Sequence, residues 1–161
     1  MTKTQTTRTT ASNPDVAAAS AQFLSPIVLD LMALTINGKQ AHWHVRGPNF
    51  VGVHELFDQI VAHAHGFADT AAERIVALGL PVDARLATVA AKSKPTAVPA
   101  GFTKSDAMIA DVIADMDAAI VNVQAAIDGL GEIDQTSQDV AVEIMRGLEK
   151  DRWFLFAHIS E

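Results

Sequence analysis

His54, Asp58, Asp69 and Glu73 are spaced to act together. His54/Asp58 and Asp69/Glu73 are each four positions apart, so on a helix the two members of a pair project from one face. Asp58 and Asp69 are eleven positions apart, close to three whole turns, which puts all four groups on one stripe. Val53, Phe57, Ile60, Ala64, Phe67, Ala71 and Ile75 mark an apolar stripe one residue away, or about 100° round the helix. The polar stripe therefore runs along the flank of whatever core this helix joins. His42 and His54 lie six positions either side of Pro48, so a chain reversal there sets their imidazoles side by side. With no cysteine in the chain, any metal must be held by nitrogen and oxygen. Two imidazoles and three carboxylates suit redox-active iron with positions left open for an oxidant.

One chain cannot close this set. At the rise of a helix, Asp58 and Asp69 stand about 16 Å apart along the axis. A second copy packed antiparallel about a two-fold axis near His63–Ala64 removes that distance. His54 and Asp58 of one copy then face the Asp69/Glu73 pair of the other, and the isologous contact yields two identical sites. Gly66, beside the axis, lets the helices approach closely. A lone acidic pair or a lone His-x-x-x-Asp pair is usually a solvated or capping feature. Two such pairs in phase, with His42 at the matching level, are harder to explain that way.

The positioning elements are four long helices. Asn13-Pro14 reads as a cap and first turn, and Phe23, Ile27, Leu31 and Leu34 carry the first helix to about Trp43. Gly47-Pro48 breaks it and Asn49 caps the second, which runs to about Leu78 before Gly79 and Pro81. Leu80–Gly101 is a long connection with a short helix expected at Leu86–Ala91. Thr103 with Asp106 resembles a capping box. The third helix follows Ile109, Ile113, Met116, Ile120, Val123 and Ile127 to Gly129 and Gly131, and the fourth carries Val140, Ile144, Leu148, Leu155 and Ile159. Two helical hairpins joined by one crossover predict an all-α, ferritin-like four-helix bundle over residues 14–161, preceded by a flexible tail over 1–13.

Composition agrees. The 161 residues are 49% hydrophobic and 19% charged, ordinary material for one packed domain. No apolar run reaches the length of a membrane span, and Met1–Asn13 lacks the apolar stretch of a secretory signal, so a cytoplasmic location is expected. The net charge of -7 argues against nucleic-acid binding by the body of the protein.

The residues themselves point to a family. Lys39-Gln40-Ala41-His42-Trp43-His44-Val45-Arg46-Gly47-Pro48-Asn49-Phe50, then His54-Glu55-Leu56-Phe57-Asp58 and Asp69 to Glu73-Arg74-Ile75, resemble the DNA-binding protein from starved cells (Dps) family of miniature ferritins. The spacing of the five ligands fits that family's inter-subunit ferroxidase motif without a gap, and Leu148–Ile159 is similar to its last helix. The resemblance implies a hollow dodecamer built from two-fold dimers. It implies oxidation of ferrous iron at the dimer interface, preferably by hydrogen peroxide, storage of ferric mineral and protection against oxidative damage. It assigns the metal to His42, His54, Asp58, Asp69 and Glu73, makes Trp43 the aromatic that intercepts oxidising equivalents, and places Glu55 where mineral nucleates. Simple packing explains Trp43 as well.

Departures qualify the inheritance. His44 stands where the family commonly has Asn, and His63 and His65 are additional. His65 falls on the metal stripe, so His44 and His65 are candidates for a further metal or for ordering the ligands, while packing or surface exposure is the plainer reading of each. Asp128, Glu132, Asp134 and Asp139 cluster at the last turn. The family's acidic three-fold pores lie in that neighbourhood, and Asp134 and Asp139 are the candidates for iron entry, against a solvated loop. A tail with only Lys3 and Arg8 implies weak or absent DNA binding. Two rival functions remain at this point: a metal-dependent hydrolase using the same interface, with a histidine as general base, and a nucleoid-packing protein that binds metal incidentally.

Overall fold

The computed structural model describes residues 13–95 and 98–160. Lys3, Arg8 and most of the expected tail lie outside them. Four long helices form the bundle: α1 (Pro14–His44), α2 (Phe50–Ala77), α4 (Ser105–Leu130) and α5 (Gln135–Phe156). α3 (Leu86–Lys92) is the short helix of the crossover, one residue longer than expected. Two-residue strands β1 (Val45–Arg46) and β2 (Thr103–Lys104) complete the elements.

The strands settle the connectivity. β1 follows directly on α1, β2 leads directly into α4, and the two pair in parallel, Val45 with Thr103 and Arg46 with Lys104. The end of α1 and the start of α4 thus share one end of the bundle. The crossover must climb the whole length from the end of α2, which makes α4 antiparallel to α1. α1 packs mainly on α2 and α4, and α5 on α4 and α2. This is the expected all-α bundle with one long crossover. Val89 of α3 seals it against Leu29 and Ala33 of α1.

Local chemistry sets the boundaries. Asn13 caps α1 by accepting the Asp15 N–H at 3.0 Å, with Pro14 in the first turn, where its missing N–H costs nothing. The α1–α2 turn needs Gly47 at φ 126, a conformation other residues rarely adopt. Asn49 enters α2 in the left-handed region, and its side chain makes no capping bond, contrary to expectation. Gly79 closes α2 at φ 87. Thr103 and Asp106 form no capping box: Thr103 belongs to β2, its hydroxyl donates to the Gly101 carbonyl, and the helix begins two residues later. Gly129 does not stop α4 but lies inside it, where a side chain would collide with the Phe23 ring.

Leu24, Ile27, Leu31 and Leu34 of α1 meet Phe57 and Ile60 of α2, Met108 and Met116 of α4 and Ile144 of α5 in the core. Of the stripe expected on α2, Phe67 is only partly buried and lies over Gly147. On α4, Ile120 and Ile127 sit at the core's edge. α1 is long and apolar enough, by length and composition alone, to cross a membrane. That differs from the expectation of no such run, and arises because charged residues are sparse along it. Its apolar face is packed into the bundle, and its polar groups have partners across α4: Asn122 donates to Asp30 at 2.6 Å and Asn37 to Asp115 at 2.7 Å.

Candidate metal centre

The last turn of α1 and the first turns of α2 meet at His42 and His54. His42 Nδ1 lies 2.7 Å from the His54 carbonyl, and His54 Nδ1 lies 2.8 Å from the His42 carbonyl. The rings stack with centroids 3.7 Å apart and planes 19° from parallel. A carbonyl only accepts, so each Nδ1 carries the proton and each Nε2 keeps its lone pair. The His42 carbonyl is one of those a helix end leaves without an internal partner, and the His54 ring supplies it. Reciprocal bonding thus fixes both tautomers and both orientations, the arrangement that backbone carbonyls impose on metal-binding histidines.

Asp58 stands one turn beyond His54 and is exposed. Lys39, on α1, pairs with its carboxylate. The hydrogen bond from that ammonium holds the Asp58 carboxyl below the usual range; the charge of Lys39 acts the same way, as do His42 and His54 when their rings are protonated. An open groove of about 470 Å³ is lined by His42, His54, Glu55, Asp58, Gln59 and Ala62, so Glu55 shares it. Asp69 and Glu73 are exposed farther along α2 and do not line the groove. Among the described residues, no three His, Cys, Asp or Glu side chains gather closely enough to hold a metal ion. Trp43 is 59% exposed beside His42.

The accessory candidates separate. His44 faces the crossover: its Nδ1 donates to the Gln40 carbonyl at 2.9 Å and its ring lies 5.5 Å from Phe102. His63 Nδ1 bonds both oxygens of buried Asp151, at 2.9 and 3.1 Å. His65 is exposed on α2, and Asp139 on α5. Asp134 caps α5 and accepts from Ser137 Oγ at 2.5 Å, Arg74 at 2.7 Å and Ser20 at 3.0 Å. Burial works to raise its pKa, but Ser137, Arg74 and Ser20 prevail and hold it at about 2. Its oxygens are occupied within the chain, which leaves Asp139 the open carboxylate of the two.

Sequence reasoning passed over two functional neighbours. Lys39 lies three positions before His42, a spacing that puts both on one side of α1, and it opens the segment that resembles the family, but neither signal tells of its pairing with Asp58. Asp151 is 88 positions from His63, and nothing local announces the pair.

The bundle, its climbing crossover and the histidine–carboxylate groove define a ferritin-like protein, and a model of the ferritin-like domain matches residues 22–161. The DNA protection during starvation protein of Agrobacterium fabrum is 36% identical over 136 residues, spanning 83% of this chain and 82% of that one. The structure of Dps from Microbacterium arborescens in a high iron form is 62% identical, covers 93% of this chain and 98% of its own, and superposes with a TM-score of 0.91. A Mycobacterium smegmatis Dps structure, 29% identical, covers 92% and 91% with a TM-score of 0.87. The chain belongs to the ferritin-like family and, within it, to the DNA protection during starvation (Dps) group.

Proposed function

We propose that this chain is the subunit of an iron-storing cage that oxidises ferrous iron, preferentially with hydrogen peroxide, at sites shared between two copies. Family membership supports an iron-storage, ferroxidase-type role in general terms. The observation that carries the finer reading is the His42–His54 pair, both Nε2 atoms turned from the backbone carbonyls, beside Asp58 in an open groove whose imidazole and acidic groups do not, among the described residues, gather closely enough in one chain to hold a metal ion. Asp69 and Glu73 of the partner subunit complete the set across a two-fold axis near His63–Ala64.

In the reaction each of two ferrous ions gives one electron to peroxide and the O–O bond breaks. With two waters the products are ferric oxyhydroxide and four protons. The imidazoles and carboxylates hold the ions with positions open for peroxide. Trp43, exposed beside His42, is placed to intercept a stray oxidising equivalent, and Glu55 in the groove to receive ferric product. His65, on the same stripe, flanks the site near the axis. Asp139 is the remaining candidate for the iron entry pore.

The hydrolase gains no support, since the relatives this chain resembles are named for DNA protection during starvation and His44 lies toward the crossover, away from the groove. DNA affinity is weak or absent, given the net charge of -7, and the protein works in the cytoplasm as a dodecamer.

The test uses two variants, His54→Ala with Asp58→Ala and Asp69→Ala with Glu73→Ala. Each alone breaks every shared site. In a mixed pair, one site collects all four lesions and the other none. Refolded together at equal ratio, roughly half the pairs are mixed and each regains one of two sites, so about a quarter of wild-type activity per chain returns. A mixture that stays inactive, with mixed pairs confirmed by mass, defeats the shared site.

A further inference from the structure

A helix end frays unless something outside it supplies its missing contacts. The last turn of α1 carries His42, and the two-residue ladder that follows is too short to hold it alone. Ala41 and Val45, buried in the core, hold its inner side, and the crossover holds its outer side. Gln40 Nε2 donates to the Pro99 carbonyl at 3.3 Å, and β1 pairs with β2. Between these ties stands Phe102, 64% exposed and outside the core. The Arg46 guanidinium covers its ring at 3.3 Å from the centroid, and the His44 ring lies 5.5 Å away. Guanidinium over a ring face is an attractive arrangement. His44 is itself anchored to the Gln40 carbonyl, so the stack grips both sides of His42.

We infer that Phe102 is a positioning residue for the metal centre: clasped by Arg46 and His44, it locks the last turn of α1 and holds His42 in register with His54. This rests on the reading of His42 and His54 as metal ligands. It gives His44 a role away from the metal and explains a large aromatic left at the surface of the crossover.

The test is a titration of the assembled protein with cobalt(II), following its visible absorption bands, beside thermal unfolding. Phe102→Ala should weaken binding about tenfold or more, the usual effect of losing a group that orients a ligand, and alter the band shape. Its unfolding temperature should change little, because the ring contributes nothing to the core. Phe102→Tyr keeps the stacked ring and should restore wild-type affinity. Arg46→Gln, which leaves the ring in place, should weaken binding in the same direction by less. Wild-type affinity and band shape in both Phe102→Ala and Arg46→Gln overturn the inference, as does a loss in Phe102→Tyr equal to that in Phe102→Ala. A wild-type titration unaffected by His42→Ala overturns the ligand assignment first, and this inference with it.

Discussion

Two imidazoles that each donate to the other's backbone carbonyl have no choice about which nitrogen faces the groove. The symmetric spacing of His42 and His54 about Pro48 made their meeting legible in the sequence; the proton positions were not, because they depend on which backbone carbonyl each ring reaches once the two helices abut. The same limit hid Lys39. If Asp58 is a metal ligand, as proposed, the Lys39 ammonium paired with its carboxylate competes with the entering metal. Lys39→Met removes the competitor without removing a ligand. Affinity for cobalt(II) should then rise about two- to fivefold, the range that exposed ion pairs support, with faster binding at low salt. Unchanged affinity would mean that the lysine swings aside without cost. His63 shows the same limit at longer range. The carboxylate bonded to its Nδ1 comes from the far end of the chain, and no local spacing announces it.

Element boundaries followed from Gly47-Pro48 and Gly79, where the chain needs a conformation that few residues tolerate, and from the cap at Asn13. The capping box at Thr103–Asp106 failed because a two-residue strand, too short to leave a periodic trace, claims Thr103. The acidic cluster at the last turn was ambiguous for a related reason: spacing cannot distinguish a carboxylate facing solvent from one that ties helices together. Asp134 is of the second kind, joining α5 to α2 through Arg74 and to α1 through Ser20. Its pKa of about 2 lies below the ordinary 3.8, so its stabilising effect is complete above the ordinary value and disappears as pH falls through about 2. Asp134→Asn keeps a good capping side chain but removes the charge facing Arg74. It should cost about 2 kcal/mol near neutral pH, the size implied by the displaced pKa. Urea unfolding should show the gap between variant and wild type narrowing as pH falls from about 4 toward 2. A gap constant with pH would assign the loss to the cap and not to the ion pair.

At the scale of the whole molecule, the chain carries more apolar surface than a solitary bundle needs. Trp153 and Phe156, 64% and 50% exposed, line an open groove of about 430 Å³ between α4 and α5 with Ile120, Asp117, Glu149 and Arg152. Patches of this kind in soluble proteins are commonly contact sites. The pairing proposed to complete the metal centre uses the outer stripe of α2, so it leaves the α4–α5 groove for further copies of the chain. Dividing the two contacts gives a sharp expectation. Trp153→Glu with Phe156→Glu places charge in the groove without touching α2 or the ligands, and sizing should find the protein as pairs. Each pair still contains two complete metal sites, so the initial rate of ferrous oxidation per chain should stay within about twofold of wild type, there being no change in the groups that hold the ions. Storage should fail, because a pair encloses no space, and ferric product should appear as turbidity where the wild type stays clear. A double variant that elutes at the wild-type size would show that the groove is not a contact between copies. One that falls to single chains and loses oxidation would instead place the pairing contact on α4 and α5.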